Sequence, residues 1–209
     1  PLSKPYSFYD RLSESVFSKC KTTSSAENVI SPSSSNAAAA GVYSLTVSSL
    51  AQAQSYASAG FADASSPLAG TGTITIARGD DDPLVITISS TNNTLTGIRN
   101  AINNARAGVT ATIINDGSSA PYKLLLTAND TGTANSFTVT ENLTGGQQLA
   151  LQEKVAAADA HFTVNGIDIV KSSNSVSDVI DGVTFTLKAE TSDPVTLNVE
   201  RDIDSIVAS

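Results

Sequence analysis

Residues 94–114 read TLTGIRNAINNARAGVTATII, and the hydrophobic period of this stretch changes in its middle. Apolar residues recur first every three or four positions, which predicts an amphipathic helix, and then at every second position, which predicts a strand. The helix would place one apolar stripe against a core, formed by Leu95, Ile98, Ala101, Ile102 and Ala105. The sequence therefore predicts a short helix that leads directly into a strand.

Residues on both sides of this helix support its boundaries. Asn93 or Thr94 can accept a hydrogen bond from a backbone N–H at the start, and Gly108 can adopt the left-handed conformation that ends a helix. Beyond the first strand, Asp116-Gly117 predicts a turn before a second strand at residues 122–126. Taken alone, this pattern fits any small α+β unit.

Other parts of the chain alternate apolar and polar residues in short segments, which predicts strands with one face exposed to water. Asn165-Gly166 lies between two such segments and predicts a two-residue hairpin turn. The predicted strands are residues 43–50, 73–76, 84–88, 136–140, 162–164, 167–169, 183–187 and 195–199. Residues 176–180 are predicted as a short helical turn, and residues 57–68 and 142–158 as less regular tracts.

These elements predict an α+β fold that is mainly β and divided into two small β-rich domains. Residues 71–156 would form a ββαββ-like domain with the helix over its own core. We expect this domain to be inserted into an outer domain that is built from both chain ends, residues 41–70 and 157–204.

Residues 1–40 are predicted to form an arm that is poorly ordered or packs locally against the first strand. Leu12, Val16 and Phe17 could line one short helix in this arm. Pro5 and the serine-rich residues 31–36 interrupt that helix, because proline and serine clusters favour turns and breaks.

The charge balance and the hydropathy exclude two classes of partner. The 209 residues include 12 Lys and Arg against 20 Asp and Glu, and the formal net charge of −8 repels phosphate backbones and anionic lipid head groups. No apolar run approaches the roughly 20 residues that cross a bilayer, and the amino terminus shows no secretory signal pattern. We therefore expect no nucleic acid, no membrane insertion and no cleaved signal peptide.

Residues suited to catalysis or to metal binding are scarce. Cys20 is the only cysteine, so no intrachain disulfide or multi-thiolate metal site can form. His161 is the only histidine and stands at the start of a predicted strand, which favours a structural or exposed side chain. Gly70-Thr71-Gly72 precedes a strand instead of a helix, and Asp80-Asp81-Asp82 lacks the spacing of an EF-hand loop. We predict no catalytic residue, no cofactor and no metal ligand.

Several segments, in their order along the chain, resemble one protein family. Ile102-Asn103 and its flanks look like the hook IN motif of flagellin and of flagellar hook-associated proteins. The stretch GVYSLTVSSLAQAQ at residues 41–54 resembles the amino-terminal region of the flagellar cap proteins, also called hook-associated protein two. Further similar segments are FAD at 61–63, GTGTITI at 70–76, DAHFTVNGI at 159–167, SNSV at 173–176 and IDGVTFTL at 180–187. Together they extend over most of residues 41–204.

The resemblance implies a structural component of the bacterial flagellum and not an enzyme. Members of this family cap the distal tip of the filament as rings of a few copies, assist the assembly of flagellin, and in some bacteria also act in adhesion. The implied partners are flagellin, further copies of the full-length protein and, for adhesion, host mucin or glycans. The implied location is extracellular, and the coiled-coil leg helices of the family are mostly absent from these 209 residues.

Three other functions stay open at this point. A surface adhesin or glycan-binding β module could use the same scaffold without a role at the filament tip. A hook-filament junction protein or a flagellin would share the Ile-Asn repeat, but would not be expected to show the opening at residues 50–54. A carbohydrate-active enzyme would need two carboxylates about 5–10 Å apart in a cleft.

Overall fold

The structure, a computed structural model, describes residues 20–79 and 82–202, which fold into two compact units. The first unit contains the described residues up to Leu50 and from Ala160 onward, and the second contains Ala51–Asp159. The strands are, in chain order, β1 (Cys20–Ser24), β2 (Ile30–Ser34), β3 (Gly41–Ser49), β4 (Ser55–Ala57), β5 (Thr71–Arg78), β6 (Leu84–Ile88), β7 (Val109–Asn115), β8 (Tyr122–Ala128), β9 (Phe137–Thr144), β10 (Gln152–Val155), β11 (Ala160–Val164), β12 (Ile167–Lys171), β13 (Ser175–Ile180), β14 (Val183–Leu187) and β15 (Val195–Arg201). The helix α1 (Leu95–Ala105) lies between β6 and β7, and a 3-10 turn covers Thr133–Asn135. The predicted fold class, α+β and mainly β, is confirmed.

The first unit is a sandwich of two antiparallel sheets. Five strands follow the order β1-β15-β3-β11-β12, and three follow the order β13-β14-β2. In β3, Leu45 lies opposite Val195 on one side and opposite Val164 on the other. The sheets meet through the rings of Phe162 and Phe185, whose centroids are 5.7 Å apart in a T-shaped arrangement. Strands from both ends of the described chain therefore share one core.

β15 shows why the strands of this sandwich have one buried face. Val195, Leu197 and Val199 are at most 3% exposed, whereas Thr196 and Glu200 are exposed to water. Successive side chains of a strand point to opposite faces of the sheet, so an alternating sequence buries every second residue. The alternation predicted for this segment is confirmed.

The second unit has one core that is enclosed by two sheets and α1. The strand orders are β10-β4-β8-β7 and β6-β5-β9, and all neighbouring strands are antiparallel. α1 buries Leu95, Ile98 and Ile102, each at most 1% exposed, and packs against β6, β7 and β8. Residues of both sheets surround this helix face, among them Ile74, Ile88, Leu124, Leu126 and Phe137. The apolar stripe predicted for the helix is therefore its core-facing side.

The ends of α1 agree with the sequence at the start and differ from it at the end. Thr94 Oγ1 accepts a hydrogen bond from the Gly97 N–H at 2.8 Å, so the predicted N-cap is confirmed. Arg106, with φ 54°, takes the left-handed C-cap position, and its N–H bonds back to the Asn103 carbonyl at 3.4 Å. Gly108, which was predicted to end the helix, instead adopts φ 69° in the turn before β7.

Residues 20–34, predicted as part of an arm, form two strands of the first unit. β1 pairs with β15, and β2 pairs with β14. Ile30 is fully buried, and β2 lies at the edge of its sheet, where Pro32 and exposed serines are tolerated. The serine-rich segment is thus an edge strand and not a break. The remaining residues considered for the arm, Pro5, Leu12, Val16 and Phe17, lie outside the described residues.

Residues 51–70, expected in the outer domain, lie in the second unit. β4 pairs with β8, and Phe61 exchanges both of its backbone hydrogen bonds with Tyr122, at 2.8 and 3.1 Å. Ser58 accepts at Oγ from the Leu124 N–H at 2.8 Å, a contact between residues 66 positions apart. These long-range hydrogen bonds assign residues 51–70 to the second unit. The sequence could not show this, because a strand of three residues such as β4 is too short to display a hydrophobic period.

Two further segments are strands where the sequence predicted none. Residues 176–180, predicted as a helical turn, belong to β13, whose pairing with β14 shifts register between Val176 and Ile180. Residues 152–155, predicted as irregular, form β10, and all four of its residues are exposed. A register shift breaks the alternation of a strand, and a fully exposed edge strand has no buried face to reveal.

Candidate functional site

The Ile-Asn pair at positions 102 and 103 ties α1 to the edge of a sheet. Ile102 is fully buried in the core of the second unit. The Asn103 amide donates from Nδ2 to the Ala111 carbonyl at 2.9 Å and accepts at Oδ1 from the Ala111 N–H at 2.7 Å. Because β7 is the last strand of its sheet, this amide occupies the place that the backbone of another strand would take. The pair has a structural role and closes part of an open edge.

A second asparagine makes the same kind of contact in the first unit. Asn165 and Gly166, with φ of 50° and 80°, form the turn between β11 and β12, which confirms the predicted hairpin. Asn165 Oδ1 accepts from the Ser44 N–H at 2.8 Å, and the Asn165 N–H donates to the Ser44 carbonyl at 2.8 Å. The turn is thereby bound to the neighbouring strand β3.

Gln54 connects two strands of the second unit from a buried position. Its side chain is 7% exposed; Oε1 accepts from the Phe137 N–H and Nε2 donates to Glu153 Oε1, both at 2.6 Å. Burial, and to a smaller extent the Glu153 charge, raises the pKa of the nearby Tyr56 hydroxyl. Gln54 was not predicted from the sequence as a functional residue, and its only sequence signal was the family resemblance at residues 50–54.

The single histidine lies at an exposed position of a strand. His161 is exposed on β11, opposite Ser49 of β3 and Val170 of β12. Within residues 20–79 and 82–202, no group of three or more His, Cys, Asp and Glu side chains could hold a metal ion. In the same part of the chain, no helix has the length and apolar character that crossing a membrane requires.

The other residues considered for chemistry belong to different parts of the described chain. Gly70-Thr71-Gly72, predicted as a turn before a strand, instead includes the start of β5, because Thr71 and Gly72 already pair with Thr144 and Leu143 of β9. The half-buried Cys20 donates from Sγ to the Ala38 carbonyl at 3.2 Å. Of the Asp80-Asp81-Asp82 run, only Asp82 belongs to the described residues, and it lines a cleft of the second unit.

Three exposed carboxylates are held in their charged form by local hydrogen bonds. A hydrogen-bonded ion pair with Lys123 lowers the pKa of Asp116. Lys171 Nζ lies 2.6 Å from Asp178 Oδ2 and lowers the pKa of Asp178. Two backbone N–H groups of its own turn lower the pKa of Asp63. A carboxylate with a lowered pKa is a poor proton donor at neutral pH. The hydrogen bonds of these three carboxylates stabilise turns and strands.

Exposed apolar side chains mark where contacts with other molecules are favoured. In the first unit, Ile167 is 68% exposed and lines a cavity of about 370 Å³ together with Val164 and Ile169. In the second unit, Val85 on the edge strand β6 is 58% exposed. The described surface therefore offers apolar packing sites in both units.

Three family models match the chain. The model of the flagellar hook-associated protein 2 N-terminus matches residues 2–54, and that of the flagellar hook-associated protein 2 C-terminus matches residues 157–209. The flagellin hook IN motif matches residues 71–130, which contain α1 and the Asn103 contact.

The chain is also similar to named relatives. The B-type flagellar hook-associated protein 2 of Pseudomonas aeruginosa is 38% identical over 212 residues, which cover 91% of this chain and 45% of that protein. The flagellar hook-associated protein 2 of Escherichia coli K12 is 39% identical over 179 residues, which cover 78% of this chain and 37% of that protein. The chain thus spans less than half the length of these curated relatives.

Solved structures share the fold over most of the chain. The D2-D3 domains of the flagellar cap protein FliD from Escherichia coli match with a TM-score of 0.79 and 37% identity, covering 88% of this chain and 100% of that chain. FliD (HAP2) from Pseudomonas aeruginosa PAO1 matches with a TM-score of 0.70 and 35% identity, covering 86% of this chain and 90% of that chain. From these matches we conclude that the chain belongs to the flagellar hook-associated protein 2 family.

Proposed function

We propose that this chain is the head part of a flagellar filament cap, a protein at the distal tip of the filament that assists flagellin assembly. The observation that carries the proposal is the match of 88% of the chain to the D2-D3 domains of a flagellar cap protein. The matches at residues 2–54 and 157–209 favour a cap over a hook-filament junction protein, because both models describe hook-associated protein 2.

The physical properties of the two units suit a protein that works through its outer surface. Each unit has its own buried apolar core, which makes it a rigid body. The edge strands β2 and β10 carry serines or charged residues, which oppose edge-to-edge aggregation. The net charge of −8 also favours solubility at high local concentration.

We also propose that the two units are two head domains, the second inserted into the first. Support comes from the division of the described chain into two compact units. One unit contains the residues up to Leu50 together with those from Ala160 onward, and the other contains Ala51–Asp159. If Ala51–Asp159 is an independent domain, this segment expressed alone will unfold in one cooperative transition. A segment without a cooperative transition would contradict the proposal.

The partners and the location follow from the proposed role. They are flagellin and further copies of the full-length protein, at an extracellular position on the flagellum. The 209-residue chain by itself is expected to be monomeric, because a stable interface buries at least about 1,000 Å² and the chain spans less than half the length of its curated relatives. Light scattering at micromolar concentration tests this, and a discrete ring would contradict it.

Genetic complementation tests the proposed role. A strain that lacks its cap gene and leaks flagellin receives the full-length parent gene, and filament length and secreted flagellin are measured. We expect long filaments and little leakage. The matched variants are Ile98→Asp, which places a charge in the core of the second unit, and Arg99→Gln on the outer face of the same helix. Continued leakage with the unmodified gene would reject the cap role.

A further inference from the structure

An apolar groove of about 370 Å³ lies in the first unit, between the edge strands β12 and β13 of its two sheets. β12 contributes Ile167 and Ile169 to the lining, and β13 contributes Val179 and Ile180. Ile167 is 68% exposed, and Ile169 is half-buried. The five-stranded sheet is wider than the three-stranded sheet that it packs on, so the last strand of the wider sheet is only partly covered.

The backbone of β12 is open on its outer side. β12 is the last strand of its sheet among the strands that the structure describes. The two-residue turn between β11 and β12 makes Val164 and Ile167 a hydrogen-bonded pair. Opposite residues of antiparallel strands alternate between bonded and non-bonded pairs, so Asp168 and Val170 direct their N–H and carbonyl groups away from β11. Through backbone groups of this kind an extended peptide joins the edge of a sheet.

The groove contains one carboxylate that its lining does not neutralise. Asp181 lines the groove, and the other lining residues are uncharged. Within residues 20–79 and 82–202, the ion pairs closer than 4.0 Å are Lys171 with Asp178 and Lys123 with Asp116, and Asp181 belongs to neither. The groove therefore favours a ligand that carries a positive charge.

The residues that the structure does not describe adjoin other parts of the chain. None of the lining residues is next to them in sequence. Cys20 and Arg201, close to the two ends of the described chain, pair with each other on β1 and β15. β3 and β11 separate β15 from β12, a distance of roughly 14 Å at the usual strand spacing. Positions 80 and 81 belong to the second unit.

We propose that this groove binds an extended peptide segment of a partner protein, with alternating apolar side chains and one lysine or arginine. The segment pairs with the open edge of β12, its apolar side chains lie on Ile167 and Ile169, and its cation lies beside Asp181. The open backbone distinguishes this ligand from a small apolar molecule. The unpaired carboxylate distinguishes it from a second copy of this chain, whose net charge is −8. The inference concerns the first unit alone and does not depend on the cap role.

Nuclear magnetic resonance titration of the ¹⁵N-labelled 209-residue chain tests the proposal. The probe is the acetylated and amidated pentapeptide valine-threonine-valine-threonine-lysine, which in extended form carries both valines and the lysine on one face. The control peptides replace lysine with glutamine or with glutamate. We expect saturable shifts of the Ile169 and Val179 amide resonances with the lysine peptide. Binding should be about three- to fivefold weaker with glutamine and weaker still with glutamate.

Two pairs of variants test the backbone edge and the carboxylate separately. Val170→Pro removes an N–H that β11 does not use, whereas Val170→Thr keeps that N–H and the branched shape. The proline variant should weaken binding at least about fivefold, and the threonine variant should change it by less than about twofold. Asp181→Asn should weaken binding about three- to fivefold, whereas Asp193→Asn, at an exposed position of the next turn, should leave it unchanged.

The result for Asp181 stands by itself if Val170→Pro unfolds the chain, because turns accept asparagine as readily as aspartate. The proposal is overturned if a folded Val170→Pro, or Asp181→Asn, binds the lysine peptide as tightly as its matched control. It is also overturned if the glutamate peptide binds as tightly as the lysine peptide. A third contradicting result is that no shift saturates by about 10 mM peptide, as expected if another part of the chain already fills the groove.

Discussion

The first unit and the second unit reach a buried core by opposite routes. In the first unit, β1 pairs with β15, and the backbone of Thr196 binds the side chain of Ser25 across 171 positions of sequence. In the second unit, α1 is joined to β7 by Asn103 and Ala111, which are eight positions apart. The first core thus depends on bringing distant strands together, whereas part of the second is arranged locally. Substitutions at these contacts should distinguish the stability that comes from distant strands from the stability that comes from local contacts.

The largest effect is expected at the contact between the sheets of the first unit. Phe185→Ala removes a ring that is 1% exposed and packs against Phe162, so it should destabilise the first unit by about 3–5 kcal/mol. Native-state hydrogen exchange measures this as loss of protection in β11, β14 and β15, with protection in α1 and β8 retained. Thr186→Ala, at an exposed position of the same strand, is the control. Equal loss of protection in both units would break the comparison.

A smaller effect is expected at the local joint of the second unit. Asn103→Ala leaves the N–H and the carbonyl of Ala111 without their partners, at a residue that is 2% exposed. The cost should be about 1–3 kcal/mol, measured by denaturant unfolding. Asn100→Ala, at an exposed position of the same helix, should change stability by less than about 0.5 kcal/mol. Equal values for the two variants would show that the hydrogen bonds between Asn103 and Ala111 do not contribute to stability.

The corresponding contact of the first unit, between Asn165 and Ser44, should contribute less to stability. Asn165→Gly keeps a residue that tolerates the φ of 50° but removes the hydrogen bond from the Ser44 N–H to Oδ1. Because Ser44 is exposed, water can replace the lost acceptor, so we expect a loss of about 0.5–1.5 kcal/mol in the same unfolding experiment. A loss larger than that of Asn103→Ala would reverse the order that burial predicts.

Acid should have the smallest effect, and it should appear in both units. The folded-state pKa values of Asp178 in the first unit and of Asp116 in the second are lowered, so their contribution is present above the ordinary value of 3.8 and is lost as the pH falls below it. Both groups are exposed, so solvent screens them and the change should be modest. Thermal unfolding between about pH 5 and pH 2 measures it. In Asp116→Asn and Asp178→Asn the decrease in thermal stability between about pH 5 and pH 2 should be smaller than in the unmodified protein. An unchanged decrease in stability would show that other titrating groups cause it.

The elements with strong periodicity could be predicted from the sequence. The stripe of α1, the alternation of β15 and the Asn165-Gly166 turn are local patterns that one segment carries by itself. The family resemblance was likewise carried by local segments, and the matches along the chain confirm it. These features required no knowledge of what lies next to the segment.

The missed elements have in common that their partner determines their structure. β2 contains Pro32, and only its place at a sheet edge makes that residue acceptable. The hydrogen bonds of Gln54 to Phe137 and Glu153 cannot be seen from its neighbours in sequence.

The sequence alone determined which side chains of the periodic segments face inward. These segments have a hydrophobic period of 2 or 3.6 residues, and the burial of apolar surface turns the apolar face toward the core. It also determined the turns that need positive φ, as at Gly166. Only the tertiary structure decided which strands are neighbours, which unit contains residues 51–70, and which polar groups meet at Asn103 and Gln54. The physical reason is that backbone hydrogen bonds between strands are chemically alike for nearly every residue, so the choice among distant partners depends on how the whole core packs.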